Sequence, residues 1–170
     1  MPEAALAALA TEAPAGFAVL VVDDEPNILS ALRRMLRANG YRVQTAPGGS
    51  EALALLAQAP VDLIISDMRM PEMNGAEFLR RSRERVPEAV RILLTGYADI
   101  GSTIDAVNNG EIFRYVSKPW DDAALLATLR DGLERKQLLR ERDRLLATVT
   151  CQHEQLKGHA ELLEQRVLER

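Results

Sequence analysis

Five short runs rich in β-branched and apolar residues alternate with helical patterns between Phe17 and Leu133, joined by connections of only a few residues. The runs are "FAVLVV" (17–22), "YRVQTA" (41–46), "VDLIIS" (61–66), "VRILLT" (90–95) and "IFRYVS" (112–117). Between them, Ile28, Leu29, Leu32 and Leu36 share one face of a helix over 26–38, closed by Asn39-Gly40. Further helices are predicted over 49–59 and 76–85, and a short one carries Ile100, Ile104 and Val107 before Asn108-Asn109-Gly110. Asp121-Asp122 opens a final helix whose Leu125, Leu126, Leu129 and Leu133 suit packing on a sheet. Strands that alternate with helices across short connections form a parallel sheet with helices on both faces. Continuous apolar runs such as 17–22 fit it, because such strands are buried on both sides. The prediction is an α/β domain over 17–133 with a doubly wound five-stranded parallel sheet.

That architecture supplies a functional address, since ligands sit beyond the carboxyl ends of the strands in such sheets. The first strand runs into Asp23-Asp24, the third ends at Asp67, the fourth at Thr95 and the fifth at Lys118. Three carboxylates converging on one edge suit a hard divalent cation; Mg²⁺ needs only one or two of them with a backbone carbonyl and water. Paired carboxylates also serve glycoside hydrolysis, but aromatics are only 4% of the chain and offer little to line a sugar cleft. Lys118 is a cationic point charge suited to a phosphoryl oxygen, and Thr95 supplies a hydroxyl donor. An ionised Asp67 completes the set as a nucleophile that would form an aspartyl-phosphate. Glu25 is assigned to the start of the following helix.

In this order and spacing, "VVDDEPN", "DLIISDMRMPEMNG", "ILLTGYA" and "YVSKPW" resemble the signature blocks of response regulator receiver domains of two-component systems. The resemblance covers about residues 17–133. It implies a flavodoxin-like sheet of order 2-1-3-4-5 with Asp67 as phosphoacceptor, supplied by the phosphohistidine of a histidine kinase. It implies Mg²⁺ held by Asp24, Asp67 and the backbone carbonyl of Arg69, with Asp23 acting through a coordinated water. Lys118 would pair with the phosphoryl group, Thr95 would swing to bond it, and Tyr115 would turn inward as Thr95 moves. A cis Lys118-Pro119 bond is implied too. Arg69 and Tyr97 are expected to screen the phosphoryl group from water. The stretch from "LLTGYAD" to "RYVSKPWDD" is similar to receivers preceding cyclic-di-GMP phosphodiesterases of the HD-GYP type, although neither a His-Asp nor a Gly-Gly-Asp-Glu-Phe output motif occurs here. A magnesium-dependent phosphatase would place a second carboxylate two residues past its nucleophile, where this chain has Arg69. The remaining alternative is a phosphorylation-independent dimerisation module.

Beyond Leu133 the helical pattern continues without a proline. Residues 139, 146, 153, 160 and 167 as a positions, with 142, 149, 156, 163 and 170 as d positions, place seven apolar side chains on one stripe; Arg142, His153 and Arg170 interrupt it. A stripe of period 3.5 over this length predicts a coiled coil, so residues 134–170 read as a stalk that pairs with a second copy. Residues 1–16 lack the basic region of a signal peptide and read as a disordered leader. A net charge of −4 argues against a nucleic-acid or anionic-membrane partner, and the single Cys151 fits the reducing cytoplasm.

Overall fold

A computed structural model describes residues 16–96, 101, 104 and 112–170. The strands are β1 (Ala18–Val22), β2 (Arg42–Ala46), β3 (Leu63–Asp67), β4 (Val90–Thr95) and β5 (Arg114–Ser117). The helices are α1 (Pro26–Ala38), α2 (Gly49–Gln58), α3 (Gly75–Arg85) and α4 (Asp122–Leu168). Of the predicted helix around Ile100–Val107 only Gly101 and Ile104 are described, both helical; the leader up to residue 15 and Tyr97 lie outside the described residues. The strands form one parallel sheet in the order β2-β1-β3-β4-β5, as the sequence implies. β4 has the predicted bounds, and the other strands differ from expectation by one or two residues; β3 reaches Asp67, which pairs with Leu94.

Successive strand residues point to opposite faces, and the two faces take different helices. Leu20, Val22, Ile64 and Leu93 pack with Ala52 and Leu56 of α2 and with Phe78 and Leu79 of α3. Val19, Val21, Leu63, Ile65, Ile92 and Leu94 pack with Leu32 and Leu36 of α1 and Leu125, Leu129 and Leu133 of α4. β1, β3 and β4 are buried almost throughout, as strands covered on both faces must be. β5 is an edge strand and largely exposed.

Local chemistry sets the helix ends. Pro26 occupies the first turn of α1, where its missing N–H costs nothing. Gly40 adopts φ +87 just past that helix, a conformation that glycine tolerates. Asn74 caps α3 by accepting from the Glu77 N–H at 2.8 Å, and Asp121 accepts from Ala124 N–H at 3.0 Å where α4 begins.

The chain divides into two units, Met1–Leu133 and Glu134–Arg170. The first is the sheet domain. The second is helical through Leu168, and its Leu139, Leu146, Val149, Leu156, Leu163 and Val167 are all exposed.

Candidate functional site

The site is built by strand ends that share one edge. Parallel pairing brings β1 beside β3, β3 beside β4 and β4 beside β5. The residues that follow the strands therefore emerge together. Asp23 leaves β1 fully buried, whereas Asp24, one residue on, points to solvent. Asp67 ends β3 and is 6% exposed. Each of the three offers a carboxylate oxygen, and these oxygens all lie within 4.8 Å of one another.

Lys118 ties two of them together. Its Nζ lies 2.9 Å from Asp67 Oδ1 and 3.2 Å from Asp23 Oδ2. Its position is fixed by backbone pairing, since Lys118 N–H donates to the Thr95 carbonyl at 2.9 Å. The Lys118-Pro119 bond is cis, as the resemblance implies. Asp23 has a second partner: its Oδ1 accepts from the Glu25 N–H at 2.9 Å.

Burial shapes the electrostatics. It raises the Asp23 carboxyl above the usual carboxylate range; the Glu25 N–H bond opposes this, the charge of Asp67 adds to it, and Lys118 only partly offsets the sum. For Lys118, burial alone depresses the ammonium. The bond and charge of Asp67, followed by those of Asp23, outweigh burial and raise it above the ordinary lysine value. The edge thus holds more negative charge than one lysine neutralises. Oxygen donors at this spacing are the set a hard divalent cation takes.

The loop beyond β3 leaves no slack. A Cβ on Gly75 would collide with the Asp67 carbonyl and lie 2.8 Å from Leu93 Cδ1. Gly75 N–H donates to the Met68 carbonyl at 2.9 Å, and the Ser66 hydroxyl donates to the Asp67 carbonyl at 3.0 Å. The phosphoacceptor candidate is therefore held by its own backbone on a tightly packed turn.

The other candidates are placed less tightly around this cluster. Thr95 ends β4 and is buried, with its hydroxyl donating to the neighbouring Gly96 carbonyl at 3.1 Å. Arg69 is exposed two residues past Asp67. Tyr115 stands on β5 and is 38% exposed. Trp120 packs against the α1/α4 side of the core, with its indole N–H on Asp122. Glu25 occupies the N-cap position of α1, but its side chain makes no capping bond; its carbonyl accepts from Ile28 and Leu29 N–H groups. Sequence reasoning missed the double bridge of Lys118 to Asp23 and Asp67. It also missed the unequal burial of Asp23 and Asp24, which the alternation of a strand running to its last residue could have signalled.

Residues 19–130 match the response regulator receiver domain family. The hydrogenase transcriptional regulatory protein HoxA of Cupriavidus necator is 45% identical over 127 residues, which is 75% of this chain and 26% of that protein. The chain spans about a quarter of the length of such curated relatives. Among solved structures, the signal receiver domain of an HD domain-containing protein from Pseudomonas fluorescens is 43% identical with a TM-score of 0.68. That match covers 74% of this chain and 92% of the other. A structure titled adenylate cyclase from Rhodopirellula baltica is 34% identical with a TM-score of 0.73, covering 77% and 97%. With the sheet order, the strand-end carboxylates and Lys118 in place, the chain belongs to the response regulator receiver domain family of two-component signalling.

Proposed function

We propose that Asp67 accepts a phosphoryl group from the phosphohistidine of a histidine kinase, and that the receiver relays this state through a paired helical stalk. The observation that carries the reading is the position of Asp67, with its Oδ1 2.9 Å from Lys118 Nζ and its carboxylate beside those of Asp23 and Asp24. A carboxylate oxygen of Asp67 attacks phosphorus while the phosphorus–nitrogen bond of the donor breaks, and the imidazole nitrogen keeps the electron pair. Lys118 then faces a phosphoryl oxygen in place of the carboxylate it now bonds. The Thr95 hydroxyl exchanges its weak bond to the adjacent carbonyl for one to the phosphoryl group, and Tyr115 follows it inward. Asp24, Asp67 and the Arg69 carbonyl, with Asp23 through water, would hold Mg²⁺, which offsets negative charge on the phosphoryl oxygens when bound. Arg69 and Tyr97 would limit the access of water to the product.

The heptad spacing of exposed apolar residues supports pairing of 134–170 with a second copy. A change near β5 and the first turns of α4 would then bias that stalk between two arrangements. The output lies with whatever domain this receiver serves: transcriptional control by analogy with HoxA, or an HD domain of the kind named for the Pseudomonas fluorescens protein, with cyclic-di-GMP hydrolysis as the chemistry implied by sequence. The setting proposed for all of this is the cytoplasm.

The test is incubation with acetyl phosphate and Mg²⁺ followed by intact mass. The wild-type chain gains one phosphoryl group and Asp67→Asn gains none. Equal labelling of both, or of neither, would rule the reading out.

A further inference from the structure

The stalk helix turns Leu139, Leu146, Val149, Leu156 and Leu163 to solvent on one stripe, and Arg142 stands inside that stripe between Leu139 and Leu146. A cation in the middle of an apolar seam is costly once the seam closes, unless an anion reaches it there. In the single chain Arg142 Nε and Nη2 donate to Asp143 Oδ1 at 3.3 and 3.0 Å. Adjacent residues do not share a helix face, and the two side chains are 63% and 67% exposed. An ion pair so open to water contributes little, so Asp143 is readily exchanged for a better-placed acid. Glu141 does not compete for Arg142, because it already bonds Arg144 at 2.6 Å on the outer side of the helix.

We infer that Arg142 and Asp143 form reciprocal ion pairs with a second copy of this chain, and that these pairs fix the stalk as a parallel coil in register. The inference rests on the pairing of 134–170 proposed above and is independent of the phosphoryl chemistry. In a parallel two-stranded coil a two-fold axis sets each residue beside its equal. A side chain at d then enters a hole that includes the d and e residues of the other helix. Arg142 holds d and Asp143 holds e, so each Arg142 meets Asp143 of the second copy and two pairs form. Without them the layer would set one guanidinium against another.

The neighbours suit such a layer. The arginine stem can lie over Leu139 and Leu146 while its head reaches the rim. Leu138, which flanks the seam at g, lies beside position 143 of the other helix and covers the pair from water. A polar layer of this kind specifies register and strand number at some cost in affinity. Head-to-tail pairing over the same stripe would instead set Asp143 against Glu164, carboxylate against carboxylate.

Sedimentation equilibrium of the full chain tests the arrangement by charge exchange. The wild-type chain is expected to form dimers. R142D and D143R should each self-associate on the order of tenfold more weakly, since each fills the layer with like charge. An equimolar mixture of the two should regain wild-type association, because opposite charges then face one another at both positions. The R142D/D143R chain should dimerise by itself, which shows that neither position is needed for folding. Wild-type dimers from both single variants, a mixture no tighter than its components, or a D143R chain that associates more tightly than wild type would overturn the inference while leaving the pairing intact. A wild-type chain that stays monomeric would overturn the pairing itself, and the inference with it.

Discussion

Residues 16–133 and residues 134–170 use the same aliphatic side chains to opposite ends. In the first unit Leu32, Leu63, Leu93 and Leu129 are 0% exposed; in the second Leu156 is 68% exposed and Val167 74%. The sheet domain closes its own core on both faces, so its stability is written within the one chain. The helix beyond Glu134 satisfies its backbone but leaves its stripe in water, where about 25 cal/mol per Å² of apolar area awaits burial. A fold that completes itself can host a preorganised site, and a helix that does not is suited to report on a partner.

The comparison breaks most readily in the core. Phe78 is fully buried between α3 and the sheet, and Phe78→Ala is expected to cost about 3–5 kcal/mol in urea unfolding. A cost below about 1 kcal/mol would mean that the first unit is not the closed body described. Magnesium comes next. At a hundredfold excess over its Kd it should stabilise the chain by about 2.7 kcal/mol, and Asp24→Asn should lose most of that gain.

Gly75→Ala sharpens the point at the site itself. Its Cβ would strike the Asp67 carbonyl, so a loss of about 1–3 kcal/mol is expected, together with slower labelling by acetyl phosphate. Asp23→Asn should instead stabilise the fold. Asp23 titrates above the ordinary value of 3.8 in the folded state, so the folded protein holds an extra proton between the two values and stability falls as pH rises through that window. Removing the charge should therefore raise the melting temperature at neutral pH, and the difference should vanish below the unfolded value. The smallest effect on folding is expected in the second unit. Val149→Asp should leave the unfolding midpoint of the sheet domain within about 0.5 kcal/mol of wild type, yet convert dimers to monomers in sedimentation.

Much of this was legible because parallel strands and their helices leave strong periodic marks. Val19–Val22 and Leu63–Ile65 read as strands buried on both faces, and so they are. Asp23, Asp24, Asp67 and Lys118 could be grouped because the strand-end rule needs no side-chain detail. What the sequence hid depended on rotamers and burial. Neighbouring aspartates look alike on paper, yet Asp23 is enclosed and bridged to Lys118 while Asp24 faces solvent. Glu25 serves the start of α1 as its position suggests, but through its backbone: it holds the N-cap position and its carbonyl accepts from the Ile28 and Leu29 N–H groups, with no capping bond from its side chain.

The central claim is that Asp67, of the three clustered carboxylates, forms the acyl phosphate. Borohydride reduction of the chain after treatment with acetyl phosphate and Mg²⁺, followed by peptide mass mapping, reads this directly, because an acyl phosphate is reduced to homoserine where it stood. The account predicts homoserine at position 67 alone. Homoserine at position 23 or 24, or at none of the three, would contradict it.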